Sequence, residues 1–507
     1  METKGTQTLD ENSGDSLGSE NVGYTLDDVI GGGGDKGCPA LDTKKEDVDD
    51  ADNNSSENPP TKTERTSRKR RIVKNLLSLN LTFLFLFTAF QALSNLQSSI
   101  NCDEGLGLAS LSTIYACLIV SSLFLPPIVI RYVGTKWTMA VSMVCYVLYT
   151  AANYYPQWYT LIPASALVGF AGAPLWTSKG TYLTTSSIRY AGLSGENSDV
   201  VVNRFFGLFF MFFQSSQIWG NLMSSIVLSS SDDNETESVV TYTCGASDCQ
   251  ETTGNETTYC NPPPRDLTNI LLTVYLICGV IAIIIISVFL DQLRGAEERK
   301  KNTKPPCQLF LATVQLLKDY RMVLMIPLTI FSGLEQAFIA GDFTKSYVSC
   351  VIGVDMVGYV MICYGVSDAI FSFLVGRIAK YTGRVLLMAT GAAIHLALII
   401  SLLLWEPLES QMPVYFTVAA AWGLADAIWQ TEINSVYGVV FSANQEAAYS
   451  NYRLWESLGF TVSFAYSLFL CVSTKLYILT GVLGVGLLSY FVVEYKRWKE
   501  QREDQKK

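Results

Sequence analysis

About a dozen apolar blocks, each of roughly 20 residues, fill most of the chain beyond residue 70. A helix of that length crosses a hydrocarbon core of about 30 Å, and a soluble domain has no interior large enough to hide so many such blocks. Composition agrees. Only 16% of the residues are charged while 49% are hydrophobic, against about 25% charged in an ordinary soluble domain. The pattern predicts an all-α polytopic membrane protein of twelve transmembrane helices, with spans near 75–99, 106–130, 137–154, 157–179, 204–229, 268–290, 322–344, 354–376, 385–405, 412–433, 455–473 and 476–494. Polar residues interrupt the fourth and tenth spans, and those at the outer end of the seventh predict unwinding there.

Orientation follows from the basic residues, because Lys and Arg concentrate in loops that stay cytoplasmic. Arg65 to Lys74 precede the first span, and Lys496, Arg497 and Lys499 follow the last. Arg131 and Lys136, Arg189, Arg294 to Lys304, and Arg377, Lys380 and Arg384 fall in the even-numbered loops. Both termini are therefore expected in the cytosol. The long loop 230–267 carries the sequons Asn234-Glu235-Thr236 and Asn255-Glu256-Thr257, which predict N-glycosylation at Asn234 and Asn255 and place that loop on the lumenal side. Cys102, Cys244, Cys249, Cys260 and Cys350 share that side and are disulfide candidates. Three of them in one loop predict a bridge inside it, whereas Cys117, Cys145, Cys278, Cys363 and Cys471 read as helix packing.

The implied organisation is a disordered acidic cytosolic tail (1–70), a six-helix bundle (71–293), a cytosolic linker (294–320), a second six-helix bundle (321–495) and a cytosolic tail (496–507). The net charge of -10 is densest between Asp42 and Asp52, which argues against a direct nucleic-acid partner. The Gly31 to Gly34 run has no flanking strand and reads as linker. Phosphate-binding loops, nucleophile elbows and metal spacings are not found, so no enzymatic activity, cofactor or metal is expected.

The two bundles repeat. Arg131-Tyr132-Val133-Gly134-Thr135 after the second span matches Lys380-Tyr381-Thr382-Gly383-Arg384 after the eighth, 249 residues later, and Arg204 and Arg453 share that offset. Cys102 with Gly105 repeats as Cys350 with Gly353 at 248 residues. Six spans between equivalent points give the halves the same orientation, the parallel repeat of a major facilitator fold. Gly134 and Gly383 are expected to make tight turns. Arg131 and Lys380 stand where facilitator loops normally carry an acid, which puts an acid-mediated latch in doubt.

Phe90-Gln91-Ala92-Leu93-Ser94-Asn95-Leu96-Gln97-Ser98-Ser99-Ile100-Asn101, followed by Gly105-Leu106-Gly107, resembles the first span and loop of the uncoordinated-93-like family within the major facilitator superfamily. Gly172-Ala173-Pro174-Leu175-Trp176-Thr177-Ser178-Lys179-Gly180-Thr181-Tyr182-Leu183 resembles its fourth span, and the resemblance extends over about 70–495. It implies a multi-pass accessory protein that regulates or traffics another integral membrane protein, foremost a potassium channel. A nematode member regulates a two-pore-domain potassium channel, and a vertebrate member escorts Toll-like receptors to endolysosomes. A secondary transporter of a small solute or ion is the alternative from another class. The plasma membrane is the expected location, with the endolysosomal membrane as the alternative.

Ionisable groups at bilayer depth mark candidate sites. Glu335, Phe338, Asp342 and Lys345 share one face of span seven, with Asp342 and Lys345 able to pair. Span ten carries Trp422, Asp426 and Trp429 on one face with Glu432 nearby, and span eight carries Tyr364, Asp368 and Ser372. In a facilitator fold Gln91, Asn95, Lys179, Glu335 and Asp426 converge on a central cavity, where Lys179 offsets the acids. Such convergence fits a substrate pathway, a proton-coupling site or polar packing between the bundles. His395, the sole histidine, reads as a packed interior residue. Arg204 and Arg453 open helices at an end unfavourable for a cation, so each needs a partner, Glu446 or Glu456 for Arg453, or a lipid headgroup.

Overall fold

The structure, a computed structural model, describes residues 62–101, 106–228, 244–249, 264–293, 306–353, 355–466 and 470–504. Its regular elements are all helical. Six long helices form the N-terminal half: α1 (Lys62–Ile100), α2 (Leu106–Val133), α3 (Thr135–Ala152), α4 (Trp158–Ser194), α5 (Ser198–Leu228) and α6 (Arg265–Phe289). Six more form the C-terminal half: α7 (Tyr320–Ala337), α8 (Asp355–Thr382), α9 (Arg384–Leu404), α10 (Met412–Val440), α11 (Gln445–Tyr466) and α12 (Val472–Asp504). Eight are long and apolar enough to cross a membrane by length and composition, and α3, α5, α10 and α11 are not among them. The chain is an integral membrane protein. Its polar helices are tolerable because their polar groups turn inward and meet one another, as hydrocarbon requires.

Several boundaries differ from the sequence expectation. α1 begins at Lys62, so residues 62–70 extend a helix instead of ending a tail, steadied by the Arg68–Glu64 pair one turn apart. α12 continues through 496–504 for a similar reason, with Lys499 opposite Glu503. A short helix, Pro306–Gln315, interrupts the expected linker. α4 runs 15 residues past the expected end at 179, because its apolar stretch gives way to Thr and Ser that pack inside the protein. α11 begins at Gln445 rather than 455 and ends at Tyr466, which leaves Cys471 outside any helix. Residues 1–61, Cys102, Cys260, Asn234 and Asn255 lie outside the described residues.

The expected unwinding of the seventh span is instead a change of helix type. α7 continues as a π-helix over Phe338–Ser349 and a final turn at Cys350–Ile352. The wider turn rotates every side chain beyond Phe338 relative to Glu335. Asp342 therefore takes its cation from Lys475 of α12 at 2.6 Å rather than sharing a stripe with Glu335.

The repeated glycines adopt repeated conformations. Gly134, between α2 and α3, has φ 82 and ψ 159; Gly383, between α8 and α9, has φ 75 and ψ 154. Both lie in the left-handed region that costs a residue with a Cβ, which is why the turns of the two halves carry glycine at the same offset.

The halves meet along α5 against α8 and α10, and α11 against α2 and α4. At the α5–α8 crossing Gly207 faces Gly376, and a Cβ added at Gly207 would lie 2.7 Å from the Gly376 Cα. Lipid offers little hydrophobic drive for helix pairing, so close backbone approach through small residues supplies the contact. At the end of the bundle opposite these glycine turns, disulfides join Cys244 to Cys350 and Cys249 to Cys471. The bridge expected inside the 230–267 loop is thereby excluded, because Cys244 and Cys249 both pair with the C-terminal half. The reading of Cys471 as helix packing is corrected with it. Val472 N–H also donates to Asp248 O at 3.0 Å, so the loop segment docks through its backbone as well.

Candidate functional site

Mid-helix polar residues from α5, α7, α8, α9 and α10 meet in one buried cluster. On α10 the spacing Trp422, Asp426, Trp429 sets three side chains on a single face. Trp422 Nε1 donates to Glu335 Oε2 at 2.7 Å. On α8, Tyr364 donates through its hydroxyl to Asp426 Oδ2, and Ser372 Oγ donates to Asp368 Oδ1 at 3.0 Å. Gln214 arrives from α5, in the other half, and its amide donates to both Asp368 Oδ2 and Asp426 Oδ2. Glu335, Asp368, His395 and Asp426 are all fully buried.

His395 has a defined tautomer. Trp429 Nε1 can only donate, and it does so to His395 Nδ1 at 2.7 Å. A neutral imidazole must then carry its hydrogen on Nε2, which lies 3.7 Å from Glu335 Oε2. Rings of Phe331, Trp422 and Trp429 enclose it.

The expected convergence of five residues is thus only partly what forms. Glu335 and Asp426 come together, joined by Asp368. Gln91 and Asn95 stay inside the N-terminal half, where Gln91 accepts from Ser216 Oγ and Asn95 donates to Asn221 at 3.2 Å. Lys179 does not sit beside the acids. Its Nζ lies 4.5 Å from the ring centroid of Phe209, 4.9 Å from Phe210, 5.1 Å from Trp176 and 5.4 Å from Phe206. Its hydrogen-bond acceptor is Asn434 Oδ1 of α10, at 3.4 Å. The negative faces of four rings take the place of an anion, each worth about 1–2 kcal/mol when desolvated.

A second network closes the glycine-turn end. Arg384, the first residue of α9, lies 3.7 Å from Asp199, 3.9 Å from Glu432 and 3.8 Å from Glu494. Arg497 of α12 contacts Asp199 at 2.7 Å, so Asp199 of the N-terminal half is held by two arginines of the C-terminal half. Asn203 donates to Glu432 at 3.2 Å. Both repeated arginines find acids: Arg204 pairs with Glu196, and Arg453 pairs with Glu456 while stacking 4.0 Å from the Trp176 ring centroid. The Arg204 hydrogen bond holds the Glu196 carboxyl below its usual range. Lys380 lies over Tyr381, 5.8 Å from its centroid.

Comparison with known proteins connects this architecture to a family. Residues 98–491 match the family described as "Ion channel regulatory protein UNC-93". The chain belongs to the UNC-93 family. It is 50% identical to "Protein unc-93 homolog A" of Xenopus laevis over 436 residues, covering 85% of this chain and 95% of that one. It is 37% identical over 446 residues to the "Putative potassium channel regulatory protein unc-93" of Caenorhabditis elegans, covering 86% of this chain and 63% of that one. Among solved structures, the major facilitator superfamily proton:xylose symporter XylE bound to 6-bromo-6-deoxy-D-glucose aligns with TM-score 0.56 at 11% identity, over 83% of this chain and 95% of that one. This UNC-93 protein therefore has the major facilitator fold.

Several participants escaped the sequence reading of the UNC-93 chain, Gln214, Asp199 and Lys475 among them. Gln214 follows a phenylalanine-rich run on α5 and is one of four amides on that helix, with Asn203, Gln217 and Asn221, so nothing local singled it out. Asp199 and Lys475 are short-range neighbours of helix ends, and nothing in their local sequence points to partners 298 and 133 residues away.

Proposed function

We propose that this protein is an accessory subunit that regulates a potassium channel in the plasma membrane, with both ends of the chain on the cytosolic side. The observation that carries the reading is the match of residues 98–491 to an ion channel regulatory family, together with the 37% identity to the Caenorhabditis elegans "Putative potassium channel regulatory protein unc-93". The placement of Lys and Arg supports the orientation, since these residues favour cytoplasmic loops. A regulator has to present a stable surface to its partner, and the joints between the halves suit that role. Gln214 ties α5 to α8 and α10 within the bundle, and Asp199 ties α5 to Arg497 at its end.

Electrophysiology tests the proposal. Potassium conductance should change when the chain is removed from cells that express it and return when it is restored. A pore-forming potassium channel subunit should co-purify with it in fixed stoichiometry. Unchanged conductance, combined with saturable solute uptake by the purified protein in liposomes, would refute the channel role in favour of transport.

A further inference from the structure

We infer that the Glu335–Asp368–Asp426 cluster is a proton-binding site, and that its protons set the strength of the joint between the two halves. The hydrogen-bond inventory requires it. Asp368 Oδ2 and Asp426 Oδ2 converge on the single amide nitrogen of Gln214, and Glu335 Oε2 faces Trp422 Nε1 at 2.7 Å and His395 Nε2 at 3.7 Å. Ionised carboxylates offer only acceptors, so two that share one neutral amide repel each other unless a proton is held between them. The remaining neighbours do not supply the missing charge. Tyr364, Gln214, Ser372 and Trp422 are neutral donors already directed at Asp426 Oδ2, Asp368 and Glu335 Oε2.

Three atoms of the cluster have no partner in the structure: Glu335 Oε1, Asp426 Oδ1 and His395 Nε2, each on a fully buried side chain. The first two are acceptors, and the tautomer argument makes the third a donor aimed at Glu335. Ionising all three acids would place like charges side by side at bilayer depth, where isolated charge is costly. Among the described residues, no group of three or more His, Cys, Asp or Glu side chains is arranged to hold a metal ion. Protons are the ligand that fits.

The coupling comes from Gln214. It is the member of this cluster that belongs to the N-terminal half, and its amide bridges Asp368 and Asp426. Drawing protons from the cluster leaves Asp368 and Asp426 repelling each other across that amide, which splays α8 from α10 and loosens α5 against both. The titratable groups that face the site are Glu335 from α7, Tyr364 and Asp368 from α8, His395 from α9 and Asp426 from α10. α5 contributes only the neutral Gln214.

Infrared spectroscopy of the reconstituted protein reads this directly. Near neutral pH the wild type should show the carbonyl stretch of protonated carboxylic acids, resistant to deuterium exchange, and part of that band should vanish in Glu335→Gln and in Asp368→Asn. Each amide donates where the acid's proton did, so both variants should fold. Thermal melting of the wild type should fall as pH rises from about 5 to 9, because the folded state holds protons that the unfolded chain releases. The double variant Glu335→Gln, Asp368→Asn should flatten that dependence. A wild-type spectrum without the protected band would overturn the proposal even if no variant folds. So would melting that ignores pH in wild type and variants alike. Stabilisation at alkaline pH by potassium or sodium, and not by choline, would assign the site to an alkali cation instead.

Discussion

Replacing Gly207 by alanine should separate the halves measurably, since the crossing of α5 and α8 depends on the absence of a side chain. The new Cβ would fall 2.7 Å from Gly376 Cα and 3.0 Å from Gly376 N. The Ser372 carbonyl oxygen would be closer still, at 2.5 Å, and all three obstructing atoms are backbone, so no rotamer change relieves the overlap. Overpacking of this kind costs about 1–3 kcal/mol, offset in part by roughly 1 kcal/mol of helix propensity gained on replacing glycine. The displacement also reaches Gln214, two turns along α5, and lengthens its bonds to Asp368 and Asp426. At about 2–4 °C per kcal/mol for a domain-sized unit, the net fall in melting temperature should be a few degrees, read by intrinsic tryptophan fluorescence of detergent-purified protein. Gly376→Ala should behave alike, and the double variant should cost less than the sum because the two sites touch. Gly484→Ala on α12 is the control. Nothing lies within 4 Å of its Cβ position, so it should be neutral or slightly stabilising. If Gly207→Ala melts with Gly484→Ala, the halves are not held by this crossing and the packing argument is wrong.

Other consequences can be checked on the same preparation. Lys179→Met keeps an apolar stem inside the four-ring box and should leave melting unchanged or higher, since exchanging a buried charge for packed hydrocarbon is often neutral or better; Lys179→Ala opens a cavity and should lose about 2–5 kcal/mol. Non-reducing peptide mapping should recover the cross-linked pairs Cys244–Cys350 and Cys249–Cys471, and a Cys244–Cys249 cross-link would contradict the docking of the loop on the C-terminal half. Glu196, held low by Arg204, contributes stability that is present above the unfolded carboxylate range and fades as pH falls through its lower folded value. Because the two side chains are still 35% and 34% exposed and screened by solvent, Glu196→Gln should cost under about 1 kcal/mol at neutral pH and nothing once the carboxyl is protonated, a difference that melting curves in acid and neutral buffer will resolve.

Much of the architecture was legible because a bilayer permits few solutions. Apolar blocks of helix length leave a helical bundle as their outcome, and the repeated Gly134 and Gly383 exposed the internal symmetry through a conformation that other residues avoid. Residue types at helical spacing also marked Glu335, Asp368 and Asp426 as inward-facing. The convergence of Glu335 with Asp426 was legible too, but that Asp368 joins them was not, nor was the separation of Lys179 from them. Which faces of α4, α5, α7, α8 and α10 oppose one another depends on the packing of whole helices, and a π-helical turn in α7 moved Asp342 off the expected stripe.

The sequence alone determined that the chain enters a membrane as repeated helices, because hydrophobic length and backbone hydrogen bonding act locally and leave a periodic imprint. Only the tertiary structure decided the partners. Cys471 meets Cys249 across 222 residues, Gln214 reaches Asp368 across 154, and Lys179 rests on aromatic rings. Contacts between distant segments follow from the crossing of packed surfaces, which no single stretch of residues encodes.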